Sequence, residues 1–260
     1  MTGDRLRTVL TQLALQYPPN LRQAQLNDVA RIAFHIELVR AASPGPEAAP
    51  RICDIGGGVG LFSLGCAAMG MSAMLVDDFV EDIAGCPADE ILALHRQHGV
   101  EIRQQDVLAG LDVPPGSLSA VTSFHSIEHW HHSPKRLFAD VMRALHPGGL
   151  FVLAAPNAVN LRKRVGVVFG RSNWSTLSEW YDSDIFRAHV RVPTVSDLRA
   201  MATQMGLTDI VTFGRNWLGL SNSRPLVRVT ARCADRVLRL RPTLCSDIYV
   251  IGTKPGHGLA

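Results

Sequence analysis

Long apolar runs are missing from this sequence of 260 residues, although 47% of its residues are hydrophobic. A membrane-spanning helix needs about 20 consecutive apolar residues, and no stretch of the chain approaches that length. The first residues, MTGDRLRTVLTQLALQ, lack the uninterrupted apolar core of a signal peptide. We therefore expect a cytoplasmic protein, at most bound at the inner face of the membrane, with enough apolar residues for a sizeable core.

Cysteine is also scarce, and the five cysteines include no Cys-x-x-Cys pair. Zinc sites built on thiolates usually contain such pairs, so a zinc site of that kind is disfavoured. Disulfides are rare in the reducing cytoplasm. We expect reduced thiols, most of them buried.

A strong net charge is absent too, since the formal total is only +3. That charge is uneven: residues 1–149 hold 11 Lys or Arg against 16 Asp or Glu, and residues 150–260 hold 15 against 7. The modest total, with no recognisable RNA-binding module, predicts no nucleic-acid partner. The basic half either meets a different chemistry or is simply a solvated surface.

Short apolar strands alternate with amphipathic helices along most of the chain. Strands are predicted at 51–55, 72–77, 100–106, 117–124, 149–156, 207–213 and 246–254. Helices are predicted at 4–15, 26–42, 59–70, 88–98, 133–146, 194–206 and near 225–240. This alternation predicts an α/β fold: a Rossmann-like, doubly wound, mostly parallel seven-stranded sheet with N-terminal helices.

Two segments interrupt the alternation. The proline-rich stretch SPGPEAAP (43–50) cannot continue a helix, so it divides an N-terminal helical cap and linker (1–50) from the domain at 51–260. Residues 157–191 follow the fifth predicted strand and carry scattered aromatic and charged side chains. Open α/β sheets bind ligands at their carboxyl edge, so we predict that this segment is a lid over that edge.

Glycines crowd the turn after the first strand, in the stretch ICDIGGGVGLF (52–62). The pattern is Asp-x-Gly-x-Gly-x-Gly, formed by Asp54, Gly56, Gly58 and Gly60. The dinucleotide fingerprint Gly-x-Gly-x-x-Gly would need glycine at Leu61 or at Ser63. A P-loop is excluded as well, because no Gly-Lys-Ser/Thr follows.

The pattern resembles motif I of the class I S-adenosylmethionine-dependent methyltransferases. The resemblance implies that the glycine turn approaches the methionine portion of the cofactor and that Asp54 lies near its ammonium end. Asp77 ends the next strand and should accept hydrogen bonds from both ribose hydroxyls. Asp106 ends the third strand and should contact the adenine amino group, while Phe124 completes the predicted cofactor site. ALHPGGLFVLAAPN (144–157) resembles the turn and fifth strand of the family.

The fourth strand leads into SFHSIEHWHHSP (123–134), which should hold the methyl acceptor. It lacks the Asn/Asp-Pro-Pro-aromatic run of enzymes that methylate nucleic-acid bases, so base methylation is disfavoured. Ile-Glu-His at 127–129 resembles the O-methyltransferases of ubiquinone synthesis and their sugar-modifying relatives. In the former an acid three positions earlier joins the Glu-His pair in binding magnesium, which implies a site of His125, Glu128 and His129 for Mg or Mn. Histidine at position 125 departs from that pattern, because magnesium prefers oxygen ligands.

Two ways of activating the acceptor remain open at this level. An alcohol oxygen needs a general base or a cation to become nucleophilic at neutral pH. His125, His129 or His189 can accept the proton, since imidazole titrates near neutral pH. The alternative is a cation held by the Glu-His residues.

The region after the fifth strand resembles methyltransferases encoded among polysaccharide and glycolipid synthesis enzymes. The likeness rests on APNAVNLRKRVGVVFGRSNWSTLSEWY (155–181) and HVRVPTVSDLRAMATQMGL (189–207). It implies that His189 and Arg191 line the acceptor site. The rings of Trp174, Trp180 and Tyr181 either stack on a sugar or form the small core of the lid. The predicted activity is O-methylation of a saccharide or glycoconjugate; the alternatives are a phenolic or quinone-type acceptor, or a non-catalytic cofactor-binding protein.

Arginine recurs every four residues in SRPLVRVTARCADRVLRLRP (223–242), on a helix whose other face is apolar. Such a helix can bind an anionic membrane surface, or it can pack on the sheet with its arginines in solvent. The sequence leaves the oligomeric state open and is compatible with a homodimer.

Overall fold

The computed structural model describes residues 3–42, 49–79, 88–182, 184, 186, 188–217 and 225–256. Its strands are β1 (Arg51–Ile55), β2 (Ser72–Asp77), β3 (Glu101–Gln104), β4 (Leu118–Phe124), β5 (Leu145–Pro156), β6 (Thr208–Arg215) and β7 (Asp247–Thr253). Its α-helices are α1 (Gly3–Ala14), α2 (Pro19–Ala42), α3 (Leu61–Ala68), α4 (Ala88–Gln97), α5 (Lys135–Ala144), α6 (Leu161–Val168), α7 (Leu177–Tyr181), α8 (Val195–Gln204) and α9 (Pro225–Leu238).

The strands form one sheet with the order β3-β2-β1-β4-β5-β7-β6. β1 runs parallel to both β2 and β4, and β2 runs parallel to β3. β7 runs against β5, because Lys254 exchanges backbone bonds with Gly148 and Gly149 while Asn157 bonds to Ser246. The prediction of a Rossmann-like, mostly parallel, seven-stranded sheet with N-terminal helices is confirmed for the part of the chain that the structure describes.

Most predicted elements occur close to their expected positions, and the differences have local causes. α2 begins at Pro19 rather than near residue 26, because proline is well tolerated in the first turn of a helix, where its missing N–H leaves no bond unmade. β5 begins at Leu145 rather than at residue 149. Its extra residues pass through Gly148, which has a φ of 77° and donates to the Lys254 carbonyl.

The chain divides into two compact units, which are described separately. The first unit comprises Met1–Ser123, Lys135–Val152 and Thr253–Ala260, and the second comprises Phe124–Pro134 and Leu153–Gly252. The predicted boundary at residue 50 stays a prediction, and most of the linker before it, residues 43–48, lies outside the described residues.

In the first unit the N-terminal helices belong to the core. α1 and α2 pack on α3 at Gly65, where an added Cβ would lie 2.6 Å from Leu10 and 2.5 Å from Ile36. Cys53 and Cys66 are buried there as free thiols, as expected. The close approach at Gly65 fixes α3, which begins directly after the glycine turn.

In the second unit a buried asparagine, Asn157, connects the end of β5 to the residues just before β7. The Asn157 amide donates to the carbonyls of Thr243 (3.0 Å) and Cys245 (2.9 Å). Asn160 caps α6 by accepting from the Lys163 N–H at 2.9 Å. Asn157 and Asn160 belong to the stretch that resembles polysaccharide-pathway enzymes. Their hydrogen bonds attach residues 157–168 to the chain just before β7 and fix the start of α6. No helix among the described residues combines the length and apolar character needed to cross a bilayer.

Candidate functional site

The glycine turn after β1 requires glycine for two different reasons. Gly56 and Gly58 have φ angles of 66° and 54°, a region that side chains with a Cβ rarely adopt. A Cβ added to Gly58 meets nothing within 4 Å, so the space above this backbone is open. A Cβ added to Gly57 would lie 2.1 Å from the Asp54 carboxylate. The turn is thus closely packed on the side of Asp54, which we call below, and open on the side of Gly58, which we call above.

Asp54 is buried beneath the turn. Its carboxylate accepts from the hydroxyls of Thr122 (2.9 Å) and Ser63 (3.2 Å). Burial raises the pKa of Asp54 to about 7, against the lowering effect of these two hydrogen bonds and with a smaller raising effect from Asp77. The structure shows Asp54 supporting the turn, and its predicted position near the ammonium group of the cofactor stays a prediction.

Asp77, at the end of β2, ties the second strand to the turn. Its Oδ2 accepts from the Gly58 N–H at 2.8 Å and its Oδ1 accepts from the Phe79 N–H at 3.0 Å. Burial is the main cause that raises the pKa of Asp77 above its usual value. Each carboxylate oxygen can accept a second hydrogen bond, so this orientation leaves acceptors for a pair of ribose hydroxyls.

The remaining predicted cofactor residues have more varied surroundings. Gly60 donates its N–H to the Gly57 carbonyl at 3.1 Å and immediately precedes α3. Asp106 is exposed and accepts from the Leu108 N–H at 2.8 Å, which caps a short 3-10 turn. Phe124 ends β4 and belongs to the second unit. The adenine contact of Asp106 and the role of Phe124 stay predictions.

Two residues that sequence reasoning missed hold the turn from below. The Tyr17 hydroxyl donates to the Val59 carbonyl at 2.9 Å. His95 is buried, with Nδ1 at 2.8 Å from the Ile91 carbonyl and Nε2 at 3.2 Å from the Gly60 carbonyl. Burial lowers the pKa of His95. The only signal in the sequence was a histidine on the apolar face of α4.

In the second unit the backbone joins the Ile-Glu-His and His-x-Arg elements. Ile127–His129 forms a 3-10 turn, and the Glu128 carbonyl accepts from the N–H groups of Val190 (2.8 Å) and Arg191 (3.2 Å). These bonds bring the centre of the His189 ring to 5.0 Å from the centre of the His129 ring, and the two ring planes are nearly perpendicular.

Glu128, His129 and His189 form one group, which we call the acceptor cluster. Their candidate ligand atoms all lie within 4.8 Å of one another. Glu128 is only 1% exposed, and its Oε2 has no hydrogen-bond partner among the described residues. His129 and His189 are exposed. The cluster therefore combines a buried carboxylate with two accessible imidazoles.

His125 stands beside this cluster, between two carboxylates. Its Nδ1 lies 3.8 Å from Glu128 Oε1, and its Nε2 lies 3.1 Å from Asp247 Oδ1. Its φ is 56°, and its N–H donates to the Ala154 carbonyl at 2.9 Å. A positive φ in a residue other than glycine is strained and is frequent at functional sites. Sequence reasoning missed Asp247, whose only signal was an acid at the start of the last strand.

The electrostatics of the cluster favour a neutral imidazole. The His189 side chain is exposed overall, but partial desolvation of its ring lowers its pKa, and the neighbouring His129 and Lys163 lower it further. Burial also raises the pKa of Glu128, against the opposing effect of His125 and His129. A neutral imidazole has a lone pair with which it can accept a proton or bind a cation.

The predicted substrate residues lie on the surface of the second unit. Trp174, Trp180 and Tyr181 are exposed, and neither α6 nor α7 contains a buried residue. These rings therefore do not form a small core of their own. The exposed Arg191 side chain lies 3.7 Å from Asp197.

The profile of the methyltransferase domain family matches residues 24–212. The chain belongs to this family. A curated relative from Mycolicibacterium smegmatis, a probable S-adenosylmethionine-dependent methyltransferase, is 33% identical over 94 residues. That match spans 35% of this chain and 35% of the relative, so about a third of the relative's length is matched.

Solved structures show the same fold. One is a Thermotoga maritima S-adenosylmethionine-dependent methyltransferase, a possible histamine N-methyltransferase, with 12% identity, a TM-score of 0.55, and coverage of 96% of this chain and 99% of that one. Another is Haemonchus contortus phosphoethanolamine N-methyltransferase 2 in complex with S-adenosylmethionine. It has 16% identity, a TM-score of 0.53, and coverage of 85% of this chain and 52% of that one. At these identities the likeness establishes the fold alone.

The predicted methyltransferase family is confirmed: the chain contains a methyltransferase domain. The curated relative and the solved structures named above use or bind S-adenosylmethionine. The first unit fits that cofactor, because the turn is open above Gly58 and Asp77 presents carboxylate oxygens next to it.

Proposed function

We propose that the protein is an S-adenosylmethionine-dependent O-methyltransferase that acts on a hydroxyl group of a saccharide or glycoconjugate. The observation that carries this proposal is the acceptor cluster. When bound, S-adenosylmethionine would supply a methyl group from its positively charged sulfur: the acceptor oxygen would bond to the methyl carbon and lose its proton, and S-adenosylhomocysteine would be the leaving group. An alcohol loses that proton only with help from a base or a cation, and the cluster offers both a base and candidate ligands for a cation.

The acceptor cluster can assist the oxygen directly. Partial desolvation and the neighbouring cations lower the pKa of His189, which favours its neutral imidazole. His189 is therefore the general base that we favour, with His129 beside it at 5.0 Å. His125 fits the role of a positioning residue, since it lies between Glu128 and Asp247.

A saccharide acceptor is supported by the exposed rings of Trp174, Trp180 and Tyr181. Flat aromatic side chains with a polar tip stack on sugar faces while they remain hydrated at the edge. The resemblance of residues 155–207 to enzymes of polysaccharide and glycolipid synthesis supports the same class of acceptor.

As the alternative mode of activation, we propose that Glu128, His129 and His189 hold a divalent cation, in which case His189 is a ligand and not the base. Tetrahedral ligands at about 2.0–2.2 Å from one ion lie roughly 3.5 Å apart, so these side chains would have to close by up to about an ångström to complete the set. Two imidazoles and one carboxylate suit manganese or zinc better than magnesium. The sequence-based prediction has His125 as the third ligand and stays a prediction; we use His189 here because its ring nitrogen lies within 4.8 Å of the other two candidate ligand atoms. The cation would act as a Lewis acid on the acceptor oxygen.

The deciding experiment incubates purified protein and S-adenosylmethionine with a panel of saccharides, glycolipids, phenols and amines, and detects methylated products by mass. We expect a methyl ether on a sugar hydroxyl. Methylation of phenols or amines alone, by protein that binds S-adenosylhomocysteine, would reject the saccharide acceptor and leave the enzyme class intact.

The same assay separates the two modes of activation. If a cation acts, excess EDTA abolishes turnover and manganese restores it, whereas magnesium restores it less. Full turnover in EDTA, with metal content below stoichiometric, would reject the cation and leave the histidines as the activating groups.

A further inference from the structure

One row of large apolar side chains on α9 points away from the protein. A helix that packs on a sheet buries its apolar stripe, but the stripe of α9 and the residues just after it is exposed. Its members are Leu226 (75% exposed), Val229 (54%), Cys233, Val237 (67%) and Leu240 (81%). The sequence was compatible with an apolar stripe that packs on the sheet or with one that binds a membrane. In the described structure the stripe does not pack on the sheet.

A polar contact fixes that orientation. Asp235 is 6% exposed, and its Oδ1 accepts from the Asn216 backbone N–H at 2.9 Å and from the Asn216 side-chain amide at 3.2 Å. Ala231 and Leu238 lie on the same side of the helix and are half-buried. The side that faces the protein therefore contains an acid, and the apolar stripe lies opposite it.

Arginines flank the exposed stripe. Arg228, Arg232 and Arg236 follow one another at four-residue intervals and are all exposed, as are Arg239 and Arg241. Among the described residues of α9 the single acid is Asp235, which is turned inward and lies 3.3 Å from the Arg239 Nε. The outer surface of the helix is thus both apolar and strongly cationic.

α6 adds a second exposed segment of the same kind. Leu161, Val165 and Val168 lie on one face of the helix, and all are exposed together with Phe169. Arg162 and Arg164 accompany them. The Arg164 guanidinium donates to the Thr243 carbonyl at 3.3 Å, so α6 meets the chain five residues after the end of α9.

We propose that α9 and α6 form a surface that binds an anionic lipid bilayer. In this arrangement the apolar stripe enters the headgroup region while the arginines contact lipid phosphates. A second copy of the chain is a poorer occupant, because a two-fold contact would place the two arginine rows beside each other. This surface requires no particular methyl acceptor, and its occupation does not depend on the proposed function.

The test measures binding of the full chain to vesicles by flotation. We expect binding to vesicles that contain phosphatidylglycerol, no binding to pure phosphatidylcholine, and release at high salt, which screens exposed charges. Arg228, Arg232 and Arg236 replaced together by glutamine should weaken binding roughly 100-fold, at about five-fold for each arginine.

Two further variants make the test specific. The matched control replaces Arg7, Arg96 and Arg199 by glutamine, which removes the same charge from exposed positions outside this surface. This control should bind like the wild type. Leu226, Val237 and Leu240 replaced by serine should also lose binding, because adsorption by charge alone would not need them. Equal binding by all variants, or no binding to anionic vesicles, would overturn the proposal. A concentration-dependent dimer that disappears in the serine variant would replace it with self-association.

Discussion

The glycine turn of the first unit and the acceptor cluster of the second differ in how their polar groups are satisfied. In the turn, the Asp54 and Asp77 carboxylates accept two hydrogen bonds each from neighbouring hydroxyl and backbone groups. In the cluster, Glu128 Oε2 is buried without a hydrogen-bond partner among the described residues, and His125 has a strained backbone.

This difference indicates two kinds of site. A turn whose own polar groups are paired presents a rigid backbone to its ligand, which reduces the ordering that binding requires. A buried carboxylate oxygen without a hydrogen-bond partner is unfavourable, and a cation or a substrate hydroxyl would relieve it. We infer that the turn is organised in advance, whereas the cluster is completed only when its ligand binds.

Removing His189 should give the largest effect, because it changes the cluster and spares the turn. His189→Ala is expected to reduce turnover of the acceptor found in the panel by about 10²–10⁴-fold, the usual contribution of general acid–base catalysis. Calorimetry should show unchanged affinity for S-adenosylhomocysteine. His132→Ala is the matched control, since His132 is an exposed histidine outside the cluster. Wild-type turnover in His189→Ala would remove the cluster from the mechanism.

Asp54 should make stability depend on pH. Its pKa rises from 3.8 to about 7 on folding, so the folded state holds the proton more tightly. The stabilisation is complete below about pH 4 and is lost as the pH rises through about 7. Asp54→Asn cannot ionise, so the variant should gain roughly 4 kcal/mol relative to the wild type across that window. Denaturant unfolding at several pH values measures this gain, and a constant difference between the two proteins would show that Asp54 does not take up a proton on folding.

The same contrast explains what could be predicted from the sequence. The glycine turn was predictable because a positive φ at Gly56 and Gly58 and the lack of space at Gly57 are local demands on residue type. The place of Asp77 followed from strand length. The partners Tyr17–Val59 and His125–Asp247 were not predictable, because each pair joins residues distant in the chain and neither has a periodic signal.

The helix α9 shows a third case, in which the pattern was visible but its direction was not. The apolar stripe and the arginine row were both evident from their spacing. Which side faces the protein depends on Asp235 and its contact with Asn216 at the end of β6. A single buried acid decided the orientation, and hydrophobic periodicity contains no information about it.

Asp77→Ala tests whether the carboxylate beside the glycine turn binds the ribose of the cofactor. Loss of the ribose acceptor should weaken S-adenosylmethionine binding by about 1.5–3 kcal/mol, the range for hydrogen bonds to a charged group. The variant also frees the N–H groups of Gly58 and Phe79, so Asp77→Asn, which keeps one acceptor oxygen, should lose less. Asp78→Ala is the neighbouring control and should bind normally. If Asp77→Ala binds as tightly as the wild type, the ribose is held by another residue.

The smallest expected effect comes from the support beneath the turn. Tyr17→Phe removes only the hydroxyl that donates to the Val59 carbonyl at 2.9 Å. The free energy of unfolding should fall by about 1 kcal/mol, the usual net value of one hydrogen bond.

If the turn is organised in advance by the residues below it, cofactor affinity should fall in parallel with that stability. Tyr249→Phe provides the matched control, because the Tyr249 hydroxyl accepts from the Trp217 indole at 2.9 Å within the second unit. It should lose similar stability with no change in affinity. Equal affinities for both variants would show that the glycine backbone holds its shape without Tyr17, and that the remaining supports of the turn, among them Asp77 and His95, are sufficient.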